Sequence, residues 1–357
     1  MVDQLAAHTW PGEHIQGPDS DDVTTDQLPL GLILLEGVRS IYRHQLPTGE
    51  IPSYRRAHRG QLEYRRSPFV STFVYDALGY FDPRCLWFDP RTLHHISPEW
   101  RGWFVQTVER VRRKIRKFVA WQEEAGGRWR FFGRGSGTDP DVDDICCAAA
   151  IMLQAPGAGG EERRTRYVNA VFSYRGEGGR FYTYVNRDLR AYSWMDEQGR
   201  PIVGFDRVVN ANVLRFFGLA GVAADELVAY LLDEARSGDF RVGSPDYPNP
   251  LTFFYMMARA WRQADLPDIE GVAAQLVEPL LEMQAEDGSF GGPLSTGMAL
   301  SALLDLDYTG EALDKARHAL LHQMSAPGHW GYEDFFINGF GSPPWTSSLA
   351  LSCLGRY

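Results

Sequence analysis

The residues best suited to chemistry gather in one short segment. From Thr138 to Asp144 the chain reads Thr-Asp-Pro-Asp-Val-Asp-Asp, four carboxylates within six residues. The stretch that follows, Ile145 to Leu153, is apolar, so the cluster leads into a buried helix. Carboxylates packed together cannot all ionise, and at least one keeps its proton near neutral pH. A carboxylic acid does not ordinarily protonate an alkene in water. It can do so when neighbouring groups fix its proton in a reactive orientation and the surroundings are dry. The segment is therefore a candidate Brønsted acid. Two plainer readings compete. Asp139 before Pro140 suits a helix cap, and further acids in a first turn suit the helix dipole, which accounts for one or two carboxylates but not four. Asp139-x-Asp141-x-Asp143 also imitates the start of a calcium loop, yet Asp144 stands where glycine belongs and Ala150 where the final glutamate belongs.

The elements that must position this cluster come from a repeat. Six turns have the form Gly-x-apolar: Gly49-Glu50-Ile51, Gly127-Arg128-Trp129, Gly179-Arg180-Phe181, Gly238-Asp239-Phe240, Gly288-Ser289-Phe290 and Gly328-His329-Trp330. Gln45, Gln122, Gln284 and Gln323 precede four of them, and Glu234 a fifth. Glycine suits the left-handed residue that ends a helix, and the following aromatic can fold back onto that end. The glutamine amide can bond the orphan carbonyls of the last turn or stack on the ring. Before each turn runs an amphipathic stretch: roughly 29–45, 104–118, 163–174, 223–236, 269–284 and 311–324. In the second, Phe104, Val108, Val111, Ile115 and Phe118 recur at three- and four-residue steps. After each turn comes a more apolar helix, starting near Pro68, Pro140, Asp206, Pro250, Leu294 and Pro344, and proline suits a first helical turn.

Helices with one wet face alternating with helices buried all round predict an all-α fold, an (α/α)6 barrel of six inner and six outer helices. No strand pattern long enough to build a sheet is evident. Residues 1–27, rich in Asp, Gly, Pro and Thr, read as a mobile tail, and 28–357 as a single barrel domain. The inner helices would point one way, so their N-termini crowd one mouth with partial positive charge and free N–H groups. Candidate lining residues there are Phe69, Ser71, Asp141, Asp143, Asp144, Asn210, Asn212, Tyr247, Asn249, Thr296 and Trp345.

Asp141-Val142-Asp143-Asp144 matches the D-x-D-D motif of class II terpene cyclases, and the Gln-to-Gly-x-aromatic turns resemble the repeated QW motifs of that superfamily. The resemblance runs from about residue 28 to the end of the chain. It implies an isomerase that cyclises a polyene or prenylated substrate, with Asp143 as general acid and Asp141 and Asp144 orienting it. Aromatic faces would then steer the carbocation. The candidates are Phe69, Trp129, Phe131, Phe132, Phe254, Tyr255, Phe336 and Trp345, and Asn210, Asn212 and Tyr247 join the expected substrate contacts. No cofactor is required by such a reaction; Mg²⁺ would accompany a substrate that carries a diphosphate. Arg55, Arg56 and Arg59, in the loop before the first inner helix, could reach an anionic group. Class II cyclases usually use two barrels, so either a lone barrel suffices or a second copy or partner subunit supplies a wall. Ile145 also departs from the small or hydroxylated residue usual after the motif.

Composition narrows the partners. The chain has 357 residues, 44% hydrophobic, with 36 basic and 46 acidic side chains, a net charge of −10 that disfavours nucleic acid. The basic run Arg110 to Lys117 reads as the solvated face of an amphipathic helix. Cys85, Cys146, Cys147 and Cys353 form no C-x-x-C pair, no signal peptide is evident, and a reduced cytoplasmic setting is expected. No apolar run reaches the roughly 18 residues of a membrane span, while peripheral membrane contact stays open. Prenyltransferase-type zinc is disfavoured because no D-x-C pair is present. Two other functions compete. A carbohydrate-active (α/α)6 glycosidase or lyase would pair Asp141 or Asp144 with Glu333 or Asp334. A non-catalytic binding toroid would leave the three aspartates as exposed caps.

Overall fold

The computed structural model describes residues 28–57, 60–82, 93, 96–154, 160–184, 205–264, 266 and 268–356. The tail over 1–27, Arg59 and Cys85 lie outside them. Among the described residues, six amphipathic helices alternate with six apolar ones. The amphipathic set is α1 (Leu30–His44), α3 (Pro98–Trp121), α5 (Gly160–Phe172), α7 (Asp225–Ser237), α9 (Ile269–Leu281) and α11 (Glu311–His322). The apolar set is α2 (Pro68–Gly79), α4 (Val142–Leu153), α6 (Arg207–Ala220), α8 (Leu251–Gln263), α10 (Pro293–Asp305) and α12 (Pro343–Gly355).

The two sets take opposite places because of what they can bury. On α3 only one stripe is buried, Phe104, Thr107, Val108, Val111, Ile115, Phe118 and Val119. On α8, Leu251 to Trp261 is buried without a break. The apolar helices therefore form the inner ring, each packed on the next: α2, α4, α6, α8, α10, α12 and back to α2. The outer helices lie against them, with α1 on α12 closing the circle. The fold is an (α/α)6 barrel.

The turns work as local clamps. The indole N–H of Trp129 donates to Val119 O at 2.8 Å and that of Trp330 to Leu320 O at 2.7 Å, so each aromatic satisfies a carbonyl in the last turn of the preceding outer helix. Gln45 and Gln284 act differently from expectation. Each donates to its own turn glycine, Gly49 O at 3.0 Å and Gly288 O at 2.9 Å, and to the next outer helix, Val111 O at 3.1 Å and Ala312 O at 2.9 Å. The amide stitches neighbouring repeats instead of capping its own helix. Gly49 and Gly288 hold φ of +95° and +83°, where a Cβ would strike Lys114 and Lys315 backbone within 3 Å.

The expectation of no sheet was wrong. Four short antiparallel strands, β1 (Ser53–Arg56), β2 (Leu62–Arg65), β3 (Asp334–Phe336) and β4 (Phe340–Gly341), pair in the order β2-β1-β4-β3. They join the loop before α2 to the loop before α12. Arg55 and Arg56 thus lie on a strand, exposed, with Arg56 3.2 Å from Asp334 and Arg55 over the Phe340 ring. Two to four residues are too few for alternation to show.

Candidate active site

The acidic segment opens α4. The helix cap is Asp141, not Asp139: its Oδ1 accepts the Asp144 N–H at 2.7 Å. Asp139 is exposed and stands 3.9 Å from Arg130. Pro140 and the extended Asp141 lead in, and the helical turn begins two residues after the proline, at Val142, whose N–H is taken by Thr183 O at 3.1 Å. Asp141, Asp143 and Asp144 are all buried, at 4%, 7% and 2% exposure, which removes the reading of exposed caps.

Asp143 is gripped from two sides by neutral donors. Asn212 on α6 donates through Nδ2 to Oδ1 at 2.8 Å, and the Tyr247 hydroxyl donates to Oδ2. Burial and then the neighbouring Asp141 charge push the Asp143 carboxyl up to about 8, while the bonds from Tyr247 and Asn212 pull it back. At neutral pH it holds a proton. Asp144 receives no hydrogen bond on either oxygen, and burial together with Asp141 raises it well above the ordinary value. Burial raises Asp141 also, but backbone N–H bonds at the helix start favour its charged form. The trio is thus one carboxylate flanked by two carboxylic acids. No ion pair to any of the three occurs among the described residues, and no group of His, Cys, Asp and Glu there could hold a metal ion.

A cluster of aromatic rings begins at the hydrogen-bond partner of Asp143. The Tyr247 ring lies 5.3 Å from Phe336 and 5.6 Å from Phe335. Phe336 touches Phe69 at 5.0 Å and Phe131 at 5.5 Å, and Phe131 meets Phe132 and Phe340. Deeper, Phe69 meets Phe73, and Phe73 and Phe335 both meet Trp345, with Tyr255 at 6.0 Å from Trp345. Such a run of π faces can stabilise a cation by about 0.5–2 kcal/mol per favourable contact.

Other sequence candidates go elsewhere. Ser71, Asn210 and Thr296 hold turns: Ile51, Phe181 and Phe290 donate their N–H groups to them at 2.9, 2.9 and 3.1 Å. The Asn210 amide is spent on backbone, also donating to Phe181 O and Asp206 O, so it has no group left for a substrate. Asn249 accepts from Leu251 N–H and donates to Ser295. Phe254 packs on Phe253, and Trp129 belongs to its turn. Sequence reasoning missed Phe73, Phe335 and Phe340, and it saw Asp206 only as a helix start. The Phe335-Phe336 doublet a few residues past the last turn was the one available signal.

No family model matches the sequence, and no curated protein matches it. Solved structures do. The type II terpene cyclase MstE from Scytonema superposes with a TM-score of 0.64 at 15% identity, covering 92% of this chain and 99% of that one. A variant of it was solved with geranylgeranyl dihydroxybenzoate, its substrate. ent-Copalyl diphosphate synthase from Streptomyces platensis matches with a TM-score of 0.54 at 13% identity, over 81% of this chain and 50% of that one. A possible member of the GH105 family from Salmonella enterica matches with 0.54 at 11% identity, over 98% and 99%. These likenesses are of fold, shared by terpene cyclases and a carbohydrate-active barrel alike.

Proposed function

We propose that this chain is a type II, protonation-initiated terpene cyclase, with Asp143 as the proton donor. The observation that carries the reading is a buried aspartate held by two neutral donors, with no cation beside it among the described residues, next to a cluster of aromatic rings. A substrate alkene or epoxide placed against Asp143 would take its proton, and the cation would travel along the ring faces. Asn212 and Tyr247 favour the carboxylate left behind, which strengthens the acid without fixing the proton elsewhere. Burial, reinforced by the neighbouring Asp141 charge, keeps Asp143 protonated until substrate arrives. The substrate class is a hydrophobic polyene or prenylated small molecule, and the substrate held in the MstE variant makes a prenylated aromatic acid a sensible first probe. Among the described residues no helix is long and apolar enough to cross a membrane.

A carbohydrate-active reading has one observation in its favour. Asp206, from another part of the chain, also raises Asp143, and Asp246 is itself raised well above the ordinary value by burial and then by Asp206, Asp141 and Asp143. The pair it required from sequence is engaged otherwise: Glu333 accepts from Leu294 N–H at 2.7 Å and from Ser295, and Asp334 is exposed beside Arg56. The deciding experiment is incubation with a panel of polyprenyl diphosphates and prenylated aromatic acids, followed by mass spectrometry. The cyclase reading expects a product of unchanged mass that disappears in Asp143→Asn. Release of sugars from an oligosaccharide panel, with the terpenoid panel inert, would replace it.

A further inference from the structure

Asn212 and Tyr247 reach Asp143 from different segments, and one buried side chain fixes both. Asp206 is 2% exposed and sits at the start of α6. Its Oδ1 accepts from Val208 N–H at 2.8 Å and Val209 N–H at 3.2 Å, which caps the helix. Asn212 projects from the next turn of that helix to Asp143 Oδ1. The other oxygen, Oδ2, accepts from Asp246 N–H at 3.1 Å. Tyr247 is the next residue, and its hydroxyl holds Asp143 Oδ2. The tight loop between them is closed by Ser244 N–H to Tyr247 O at 2.8 Å and Tyr247 N–H to Ser244 O at 3.2 Å, and Arg207 holds Gly243 O.

We propose that Asp206 is a positioning residue for the proton donor: one oxygen sets the helix that carries Asn212, the other sets the loop that carries Tyr247, so both grips on Asp143 share one anchor. The inference rests on reading Asp143 as the acid, and it concerns a residue that touches neither substrate nor proton. A carboxylate is the group suited to the task. Its two oxygens point in different directions, so one can take the helix donors while the other takes the loop donor. Asn in its place can still cap α6 but offers N–H towards Asp246 N–H. Ser can cap through Oγ and offers nothing to the loop.

The test compares Asp206→Ser and Asp206→Asn, alone and with Tyr247→Phe, by carboxyl ¹³C NMR titration of Asp143 and by turnover. The Asp143 resonance is assigned by its loss in Asp143→Asn. Two effects oppose each other in sign. Asp206 as a mere neighbouring charge raises the Asp143 midpoint, so its removal would lower it; the Asp246 carboxyl, which Asp206 and Asp143 both raise, is taken out of the comparison by making every variant in an Asp246→Asn background, which keeps the Asp246 N–H. Asp206 as the anchor of two donors keeps that midpoint down, so its removal raises it. The proposal expects a rise of about one pH unit in both single variants, and a much smaller rise when Tyr247 is already Phe. Turnover should drop about tenfold in each single variant with KM little changed, and should not drop again in the double variant. A fall in the midpoint, or effects of the two substitutions that simply multiply, overturns it. Unfolding of Asp206→Ser alone leaves Asp206→Asn to decide. Because the titration needs no substrate, absence of any cyclisation by the wild type would sink the function while leaving this inference to be judged separately.

Discussion

Asp76 and Asp143 lie on neighbouring inner helices and are equally hidden, at 6% and 7% exposure. Their surroundings differ completely. Asp76 lies between two buried guanidiniums, Arg259 at 2.5 Å and Arg215 at 3.0 Å, and both arginines also lean on Gln263. A few residues further, Asp305 takes Arg356 at 2.5 Å and the Tyr80 hydroxyl at 3.2 Å. Asp143 has no cation beside it among the described residues, only neutral donors and other acids. Burial of a charge is tolerated where an opposite charge compensates it, and the result is a brace. Where it is not compensated, the group keeps its proton instead. The same residue type is thus a brace near the C-terminal ends of α2 and α10, and at Asp143, by the start of α4, a group that keeps its proton.

Replacing Asp143 should give the largest contrast. Asp143→Asn is expected to lower cyclisation by about 10²–10⁴-fold while leaving the fold intact. Its stability should also lose a pH dependence. Asp143 has a raised value in the folded protein, so between the ordinary aspartate value and about 8 the folded form holds a proton that the unfolded chain has released. Stability therefore falls as pH rises through that window, at about 1.4 kcal/mol per pH unit for one proton. Urea titrations of wild type and variant across the window check this. Equal slopes would mean that Asp143 is not the proton holder.

The matching change at the other end is Asp76→Asn. It strands two buried guanidiniums, and a loss of about 3–5 kcal/mol in unfolding free energy is expected. Activity per folded molecule should change little. If Asp76→Asn abolished turnover without a fall in melting temperature, the division into brace and acid would be wrong.

Asn212→Ala is a milder probe of the same end. It removes one donor to the Asp143 carboxylate, so the acid becomes weaker and its midpoint moves further up. Turnover should fall about tenfold, and the alkaline limb of the pH–rate profile, which reports loss of the Asp143 proton, should move to higher pH. A limb that stays in place would assign it to another group.

The barrel and the acidic cluster were legible in sequence for a local reason. Turn glycines, clamp aromatics and a stripe such as Phe104 to Phe118 all act within one or two helical turns. The D-x-D-D run is local too. What was not legible is what the chain brings together from afar. The Asp143 grip spans 69 residues to Asn212 and 104 to Tyr247, and both were expected as substrate contacts. Strand β1 meets β4 across most of the chain, with Tyr54 opposite Gly341. The shift of the cap from Asp139 to Asp141 was a matter of backbone geometry after a proline, which composition does not record.

The smallest effect tests whether the mouth itself is divided. Ser71, Asn210 and Thr296 are each the fourth residue of an inner helix, close in depth to Asp143, yet each serves the Gly-x-apolar turn behind it. Ser347, the fifth residue of α12, does the same for Trp330 N–H at 3.0 Å. Ser71→Ala and Ser347→Ala each strand one buried N–H, and a destabilisation of about 1–2 kcal/mol is expected. Asn210→Ala removes three bonds and should lie above that range. Product distribution and turnover per folded molecule should be unchanged in all three, since each of these side chains is engaged by the turn behind it. A changed product profile in Ser71→Ala, whose neighbour Phe69 stands in the aromatic cluster, would show that turn and cluster move together. The positions that hold the barrel would then also shape the path of the cation.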